Sequence, residues 1–286
     1  MPMNTYSDIS SYVLTVFEQA MHVARDQNVT QPLVRNFNDR VTDAARTNSL
    51  YGTATMVSVA ETDDLASQAF TPAPYKTLTP GEVAAQFFLT DRRVDNDPFG
   101  AQADASAELG MAMASKIDRD IIGDFGSLTG GTINSGTANL VWGHIFAGEA
   151  LLRQANAPGR YSCVLSPYQF FSLGTAPSIM GVARNDPGFQ AQMHDNVNPR
   201  PGAMLSIGNV DVYTTSQIAA GTAAVGAMFA PDALAFDVRR APRVEHDRDP
   251  SRRGFEMNLT AVYAHGIWRP EWGVTIIAQG TAPSGL

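Results

Sequence analysis

Cysteine is nearly absent from this chain. A single residue, Cys163, excludes an intramolecular disulfide framework and any zinc site built on paired thiolates. Lysine is almost as scarce: Lys76 and Lys116 stand against eighteen arginines. Arginine suits bidentate, partly desolvated ion pairs better than lysine does, a bias that fits protein interfaces, although GC-rich codon usage would also produce it. Charged residues make up only 17% of the chain, as expected where much surface is hidden against neighbours. Net charge is −8 and the isoelectric point about 5.0, which argues against a dedicated DNA-binding domain. No apolar run approaches the roughly 18 residues of a membrane span. The opening "MPMNTYSDIS" lacks the basic and apolar regions of a signal peptide. These absences predict a soluble protein made in the cytoplasm, with no membrane partner.

What is present is a globular composition, 286 residues with 44% hydrophobic, enough for a sizeable core. Residues 8–25 place Ile9, Val13, Val16, Phe17, Ala20 and Val23 on one helical face, an arm that must dock its apolar side somewhere. "YGTATMVSVA" (51–60) and "EVAAQFFLT" (82–90) have strand composition. The Pro- and Thr-rich stretch between them predicts a long projecting hairpin. Asp97 and Pro98 predict the start of a long helix over 98–123, with Ala103, Ala107, Gly110, Ala114, Ile117 and Ile121 along one side. Helix and strand then alternate: helix at 141–155, strand at 161–166, a short helix from Pro167, then a loop-like stretch (176–202) leading into "MLSIGNVDVYTTS" (204–216) and "AAVGAMFAPDALAF" (223–236), an α/β mixture. In "GFEMNLTAVYAHG", alternation from Phe255 to Tyr263 predicts an antiparallel strand, and "PEWGVTIIAQG" a last one.

Three stretches raise chemical questions. Gly126 and Gly131 have P-loop spacing, but Thr132 stands where lysine is required and the loop follows a helix, so a connector is the expected role. His246, Asp247 and Asp249 in "HDRDP" could form a hard-metal or acid/base site. The favoured alternative is a charged hairpin tip, because "VRRAPRVEHDRDPSRRG" interleaves both signs between two strands. "HGIWRPEW" (265–272) carries Trp268 and Trp272 around Arg269. Glu271 and the acidic chain disfavour a nucleic-acid stacking platform, leaving a strand-to-strand corner within one sheet, with Arg269 stacking on a ring. Cys163 reads as an inert core filler in an apolar strand. Neither GxSxG nor HExxH is present, the five histidines are scattered, and no catalytic residue, metal or cofactor is expected.

In their order, these parts resemble the major capsid proteins of tailed bacteriophages, which have the Hong Kong 97-type fold. "AELGMAMASKIDRDIIGDFG" is similar to the family's spine helix, and "YSCVLSPYQFFSLGT" and "GNVDVYTTSQIA" to its A-domain strands. "FEMNLTAVYAHGIWRPEWGVTI" is similar to its closing P-domain strands. The resemblance implies an α+β fold with an N-terminal arm (1–47), an extended E-loop hairpin (48–92), a P-domain with the spine helix (93–140), an inserted α/β A-domain (141–235) and returning P-domain strands (236–286). It implies a shell built of hexamers and pentamers of the chain itself around double-stranded DNA, assembled in the host cytoplasm. Expected further partners are a portal protein, a separate scaffolding protein and, on the shell surface, a decoration protein. Only about 50 residues precede the first hairpin strand, so no fused scaffold is expected. Some relatives crosslink a hairpin lysine, a position where Lys76 falls, but no partner or catalytic acid can be assigned. Expected subunit contacts are Phe17, Phe70, Lys76, Arg92, Arg93, Arg243, Asp247, Arg248, Arg252, Arg253 and Arg269. An encapsulin-type nanocompartment of the same fold is the nearest alternative, and a soluble α/β enzyme the more distant one.

Overall fold

The computed structural model describes residues 28–40, 42–48, 56–61, 64, 67, 76–96, 101–134, 136, 138–175 and 202–283, of which 101–103 by backbone only. Two sheets carry the architecture. The first has four strands, in the order β1 (Arg35–Phe37), β10 (Leu234–Asp249), β11 (Gly254–Ile267), β4 (Gly81–Thr90). Its centre is the long β10–β11 hairpin, where alternation puts Met257, Leu259, Ala261 and Tyr263 on one face. Helix α2 (Ala101–Gly123) lies across that face and buries Leu109, Met113, Ile117 and Ile121 against it. Its 23 residues span roughly 35 Å. Gly110, Ala114, Ile117 and Ile121 are buried as their spacing predicts. The predicted start at Asp97 and Pro98 lies outside the described residues, and a separate short helix, α1 (Asp91–Asn96), stands before them.

The second sheet has six strands, in the order β5 (Thr132–Ile133), β12 (Gly273–Gly280), β9 (Gly221–Phe229), β6 (Tyr161–Leu165), β8 (Val210–Thr214), β7 (Leu205–Ile207). Helix α3 (Trp142–Gln154) sends Trp142, Ile145 and Leu152 into its core, and α4 (Pro167–Thr175) sends in Leu173. Close packing sets Gly148 of α3, where a Cβ would lie 3.0 Å from both Ile133 and Met228. Cys163 is fully buried in β6, and burial pushes its thiol pKa far up, so it stays protonated and inert.

Two expectations about pairing are corrected. Residues 82–90 do not pair with 56–60, the described part of the segment expected to be their partner. Strand β4 pairs with β11 over ten registers, and the described part of the other segment, 56–60, is exposed and outside any strand. The base of the projecting loop is instead β2 (Arg46–Asn48) against β3 (Lys76–Leu78). Strand composition marks both segments equally, whereas Val83, Ala85 and Leu89 find apolar partners in Ala261, Leu259 and Phe255 of β11. The last strand likewise does not return to the hairpin sheet: β12 pairs antiparallel with β9 in the six-stranded sheet, whose core takes in Val274, Ile276 and Ala278.

Candidate assembly surfaces

"HGIWRPEW" is where the two sheets meet. Trp268 closes β11 and the turn 270–272 opens β12, so the corner joins two sheets and not two strands of one. The Ala233 carbonyl accepts from the Trp268 and Arg269 amides at 2.8 and 3.0 Å. The two tryptophans then part. Trp272 packs against both large cores, with the Arg269 guanidinium 4.2 Å above its ring. Trp268 points to the sheet face opposite α2 and packs with Leu78, Ala235 and Ala264, its ring 5.2 Å from Phe37.

The glycine loop serves this corner. The Thr129 and Gly130 amides donate to the Pro270 carbonyl at 2.9 and 3.2 Å, and Gly130 also donates to Gly273 at 2.9 Å. A Cβ on Gly130 would lie 2.6 Å from the carbonyl oxygens of both Glu271 and Gly273. The expected free connector is therefore a docked segment. Its glycine is required by a close backbone approach, not by a phosphate.

Beside Trp268 lies a buried charge cluster that fastens the projecting loop to the sheet. The Asp237 carboxylate, fully buried on β10, accepts from Arg46 Nε at 2.7 Å and contacts an Arg239 terminal nitrogen at 2.8 Å. The Arg239 side chain is also fully buried, and Arg46 pairs on its outer side with exposed Asp39 while its guanidinium stacks 4.1 Å over Phe37. Sequence reasoning missed this cluster because Arg46 and Asp237 are 191 residues apart. It also missed Asp118. That residue sits buried on α2, where it accepts from the Val29 and Thr30 amides at 3.1 and 3.0 Å and from the Thr30 hydroxyl at 2.6 Å. A carboxylate inside an otherwise apolar helix stripe was the available signal.

The expected contact residues fall at separate places, Arg269 at the corner over Trp272. Phe17 and Phe70 lie outside the described residues. Lys76 is half-buried at the base of the loop, opposite Asn48, and not at its tip. At the far end of the hairpin sheet, Arg92, Arg93, Arg248, Arg252 and Arg253 come together, because α1 packs beside the 250–253 turn, with the Asp91 amide donating to the Arg253 carbonyl at 2.9 Å. There Arg248 grips Asp91 through both terminal nitrogens at 3.0 and 3.4 Å and lies 4.7 Å over Phe255. Arg252 reaches Asp249 and Glu256 at 3.7 and 3.9 Å. Further along, Arg243 pairs with Glu245 at 2.8 Å, both half in solvent. Strand alternation dismantles "HDRDP" as one site. His246 stands opposite Met257 on the core side and Asp247 opposite Glu256 on the other side. Burial holds the His246 imidazole below its ordinary pKa. Among the described residues, no three His, Cys, Asp or Glu side chains group as metal ligands, and no helix is long and apolar enough to cross a membrane.

Comparison with known proteins follows the same lines. The family model described as "Phage capsid protein" matches residues 74–276, which hold β3 through the first half of β12. Among solved structures, the chain is similar to a structure from Mycobacterium phage Che8, at TM-score 0.65 and 17% identity, covering 87% of this chain and 91% of that one. It is similar to the capsid of Ralstonia phage GP4, at TM-score 0.62 and 13% identity, covering 94% and 92%. A virus-like particle from Pyrococcus furiosus shares the fold too, at TM-score 0.60 and 10% identity, covering 93% and 99%. A search of curated proteins finds no match. At these identities the structures establish the Hong Kong 97-type fold, and the family match favours a phage shell over a nanocompartment. Matched over well more than half its length, the chain belongs to the phage capsid protein family and is a structural shell protein of the phage head.

Proposed function

We propose that this chain forms hexamers and pentamers that close an icosahedral head around double-stranded DNA, assembling in the host cytoplasm with a portal protein and a separate scaffolding protein. The outer surface of such a shell is where a decoration protein would sit. The observation that carries this reading is the exposure of the described residues between β2 and β3. Met56, Val57 and Val59 among them are 98%, 66% and 41% exposed. Apolar side chains held in water call for a neighbour to cover them. The arginine-rich end of the hairpin sheet supports a second contact, where Arg92, Arg93, Arg252 and Arg253 stand exposed. Each such ion pair is worth little alone, but a closed shell repeats it many times. The acidic balance of −8 suits a wall that encloses DNA without gripping it.

Cryo-electron microscopy of heads assembled from this chain tests the reading. Rings of five and six copies are expected, with the loop of each copy lying on the next. A shell of dimers or trimers alone, or purified subunits that bind DNA tightly and salt-sensitively, would contradict it.

A further inference from the structure

A pocket of about 220 Å³ lies where the turn at Gln31–Leu33 and helix α2 meet the hairpin sheet. Its floor is Phe236 and Val238 of β10 with Ala261 and Tyr263 of β11, and Met113 and Ile117 of α2 form its side. The one polar side-chain group among these six, the Tyr263 hydroxyl, is spent on Asp120 at 2.7 Å. The recess exists because β10 loses its cover on one edge. Strand β1 pairs with it only from Ala235 to Asp237. Beyond that the register with β11 shifts twice, between Val238 and Arg240 and between Arg240 and Arg243, with Pro242 inside the second shift. Bulges bend a strand, and a proline removes a donor from its edge. The facing wall is held in place by α2, where buried Asp118 accepts from the Val29 and Thr30 amides.

The rim of the pocket is polar, formed by Asn28, Gln31 and Arg240, and what it has left to offer is donors. Both side-chain amide oxygens are already used. Asn28 Nδ2 donates to Gln31 Oε1 at 2.7 Å, and the Gln31 amide donates to Asn28 Oδ1 at 3.1 Å. Gln31 Nε2 and the exposed Arg240 guanidinium have neither an acceptor nor a counter-charge among the described residues. No carboxylate stands among the described residues that line the pocket. An apolar chamber beneath an unpaired cation and an amide donor is complementary to an apolar body with one anionic end. A dry apolar cavity of about 150 Å³ takes benzene, and by that ratio this one takes about six to nine carbons. We propose that the pocket binds a free carboxylic acid of short to medium chain, its alkyl part against Phe236, Met113 and Ile117 and its carboxylate on Arg240 and Gln31. Bound there, the acid bridges the 28–31 segment, α2 and the hairpin, and it stabilises the subunit because only the folded chain offers that site. The site needs no second copy and stands apart from the shell contacts above.

The full-length unassembled subunit is titrated with hexanoate and octanoate, and with the alcohols and alkylammonium ions of the same chain lengths, each below its micelle concentration. Calorimetric titration reads affinity and thermal melting reads stabilisation. The carboxylates are expected to bind and, at a hundredfold excess over the dissociation constant, to raise the melting temperature by about 4–5 °C. The alcohols should bind about threefold to fivefold more weakly and the ammonium ions more weakly still, since the rim pairing is partly in solvent. Arg240→Gln, at an exposed position, is expected to remove the advantage of the carboxylate over the alcohol while leaving alcohol binding and the unliganded melting temperature unchanged. Equal affinity for carboxylate and ammonium, a carboxylate preference that survives Arg240→Gln, or no binding of any probe would overturn the site. Tighter binding of N-acetyl-leucine than of hexanoate would also overturn it, by assigning the pocket to a peptide carboxyl terminus. So would silence towards every probe combined with an Arg240→Gln chain that folds but forms no particles, which would make the rim a contact between copies.

Discussion

Replacing Asp237 by alanine tests how the projecting loop is fastened. The carboxylate is fully buried and is the shared counter-charge of Arg46 and Arg239. Among the described residues Arg239 Nε and Nη1 have no hydrogen-bond partner, so without Asp237 a fully buried guanidinium loses its charge compensation. Breaking a buried ion pair by removing one partner costs about 3–5 kcal/mol. Unfolding entropy of about 2.1 cal/mol/K per residue gives about 0.6 kcal/mol/K for a chain of this length. The unassembled subunit should therefore melt roughly 5–8 °C lower. Asp39→Ala is the control. Asp39 also pairs with Arg46, but its side chain is 61% exposed and solvent screens the pair, so its loss should lower the melting temperature far less. Scanning calorimetry of subunits held apart at low concentration measures both. Limited proteolysis should cut the loop faster only in Asp237→Ala. Equal melting shifts in the two variants would refute the reasoning, because the buried charge would then carry no more than the exposed one.

Three further outcomes follow from the corner and its surroundings. Trp268→Ala should cost about 3–5 kcal/mol, the range for truncating a buried large aromatic, and should release the Phe37 and Leu78 packing, read as lower urea resistance and lost particles. Gly130→Ala should destabilise the chain although it adds one methyl group, since two carbonyl oxygens stand 2.6 Å from its Cβ; unchanged stability would show that the 129–130 docking is loose. His265 should contribute pH-dependent stability. Its hydrogen bond to Asp124 at 2.9 Å, with Asp120 adding attraction, raises the imidazole above its ordinary 6.5 against burial and Lys116. The contribution is therefore complete below pH 6.5 and lost as pH rises through the higher folded value. The stability gap between native chain and His265→Gln should narrow from pH 6 to 9, and a gap that widened would contradict the assignment.

Local signals were legible and long-range pairings were not. The stripe Gly110, Ala114, Ile117, Ile121 identified the spine helix because helical period depends on nearby residues alone. The strand at 161–165 and helix at 167–175 were equally local, bounded by Gly159 and Pro167. The partner of β4 was not visible, because Phe87 finds Met257 across 170 residues and the 51–60 segment looks just as strand-like. The same distance hid the Arg46–Asp237–Arg239 cluster, and only the fold brings those three charges together. Gly130 was misjudged for a related reason. A glycine required by backbone approaching from residues 271 and 273 looks, in sequence, like one chosen for freedom. The tryptophan corner was rightly structural, but its two rings serve different packing sites, a division that depends on β12 crossing to the second sheet.

The central claim, that this chain builds a shell, is tested most directly by rate-zonal sedimentation of the purified protein, with negative-stain electron microscopy of the fractions. The account predicts fast-sedimenting closed particles composed of the 30.7 kDa chain. A protein that stays a stable monomer under every assembly condition, with Met56 and Val57 still in water, would contradict it.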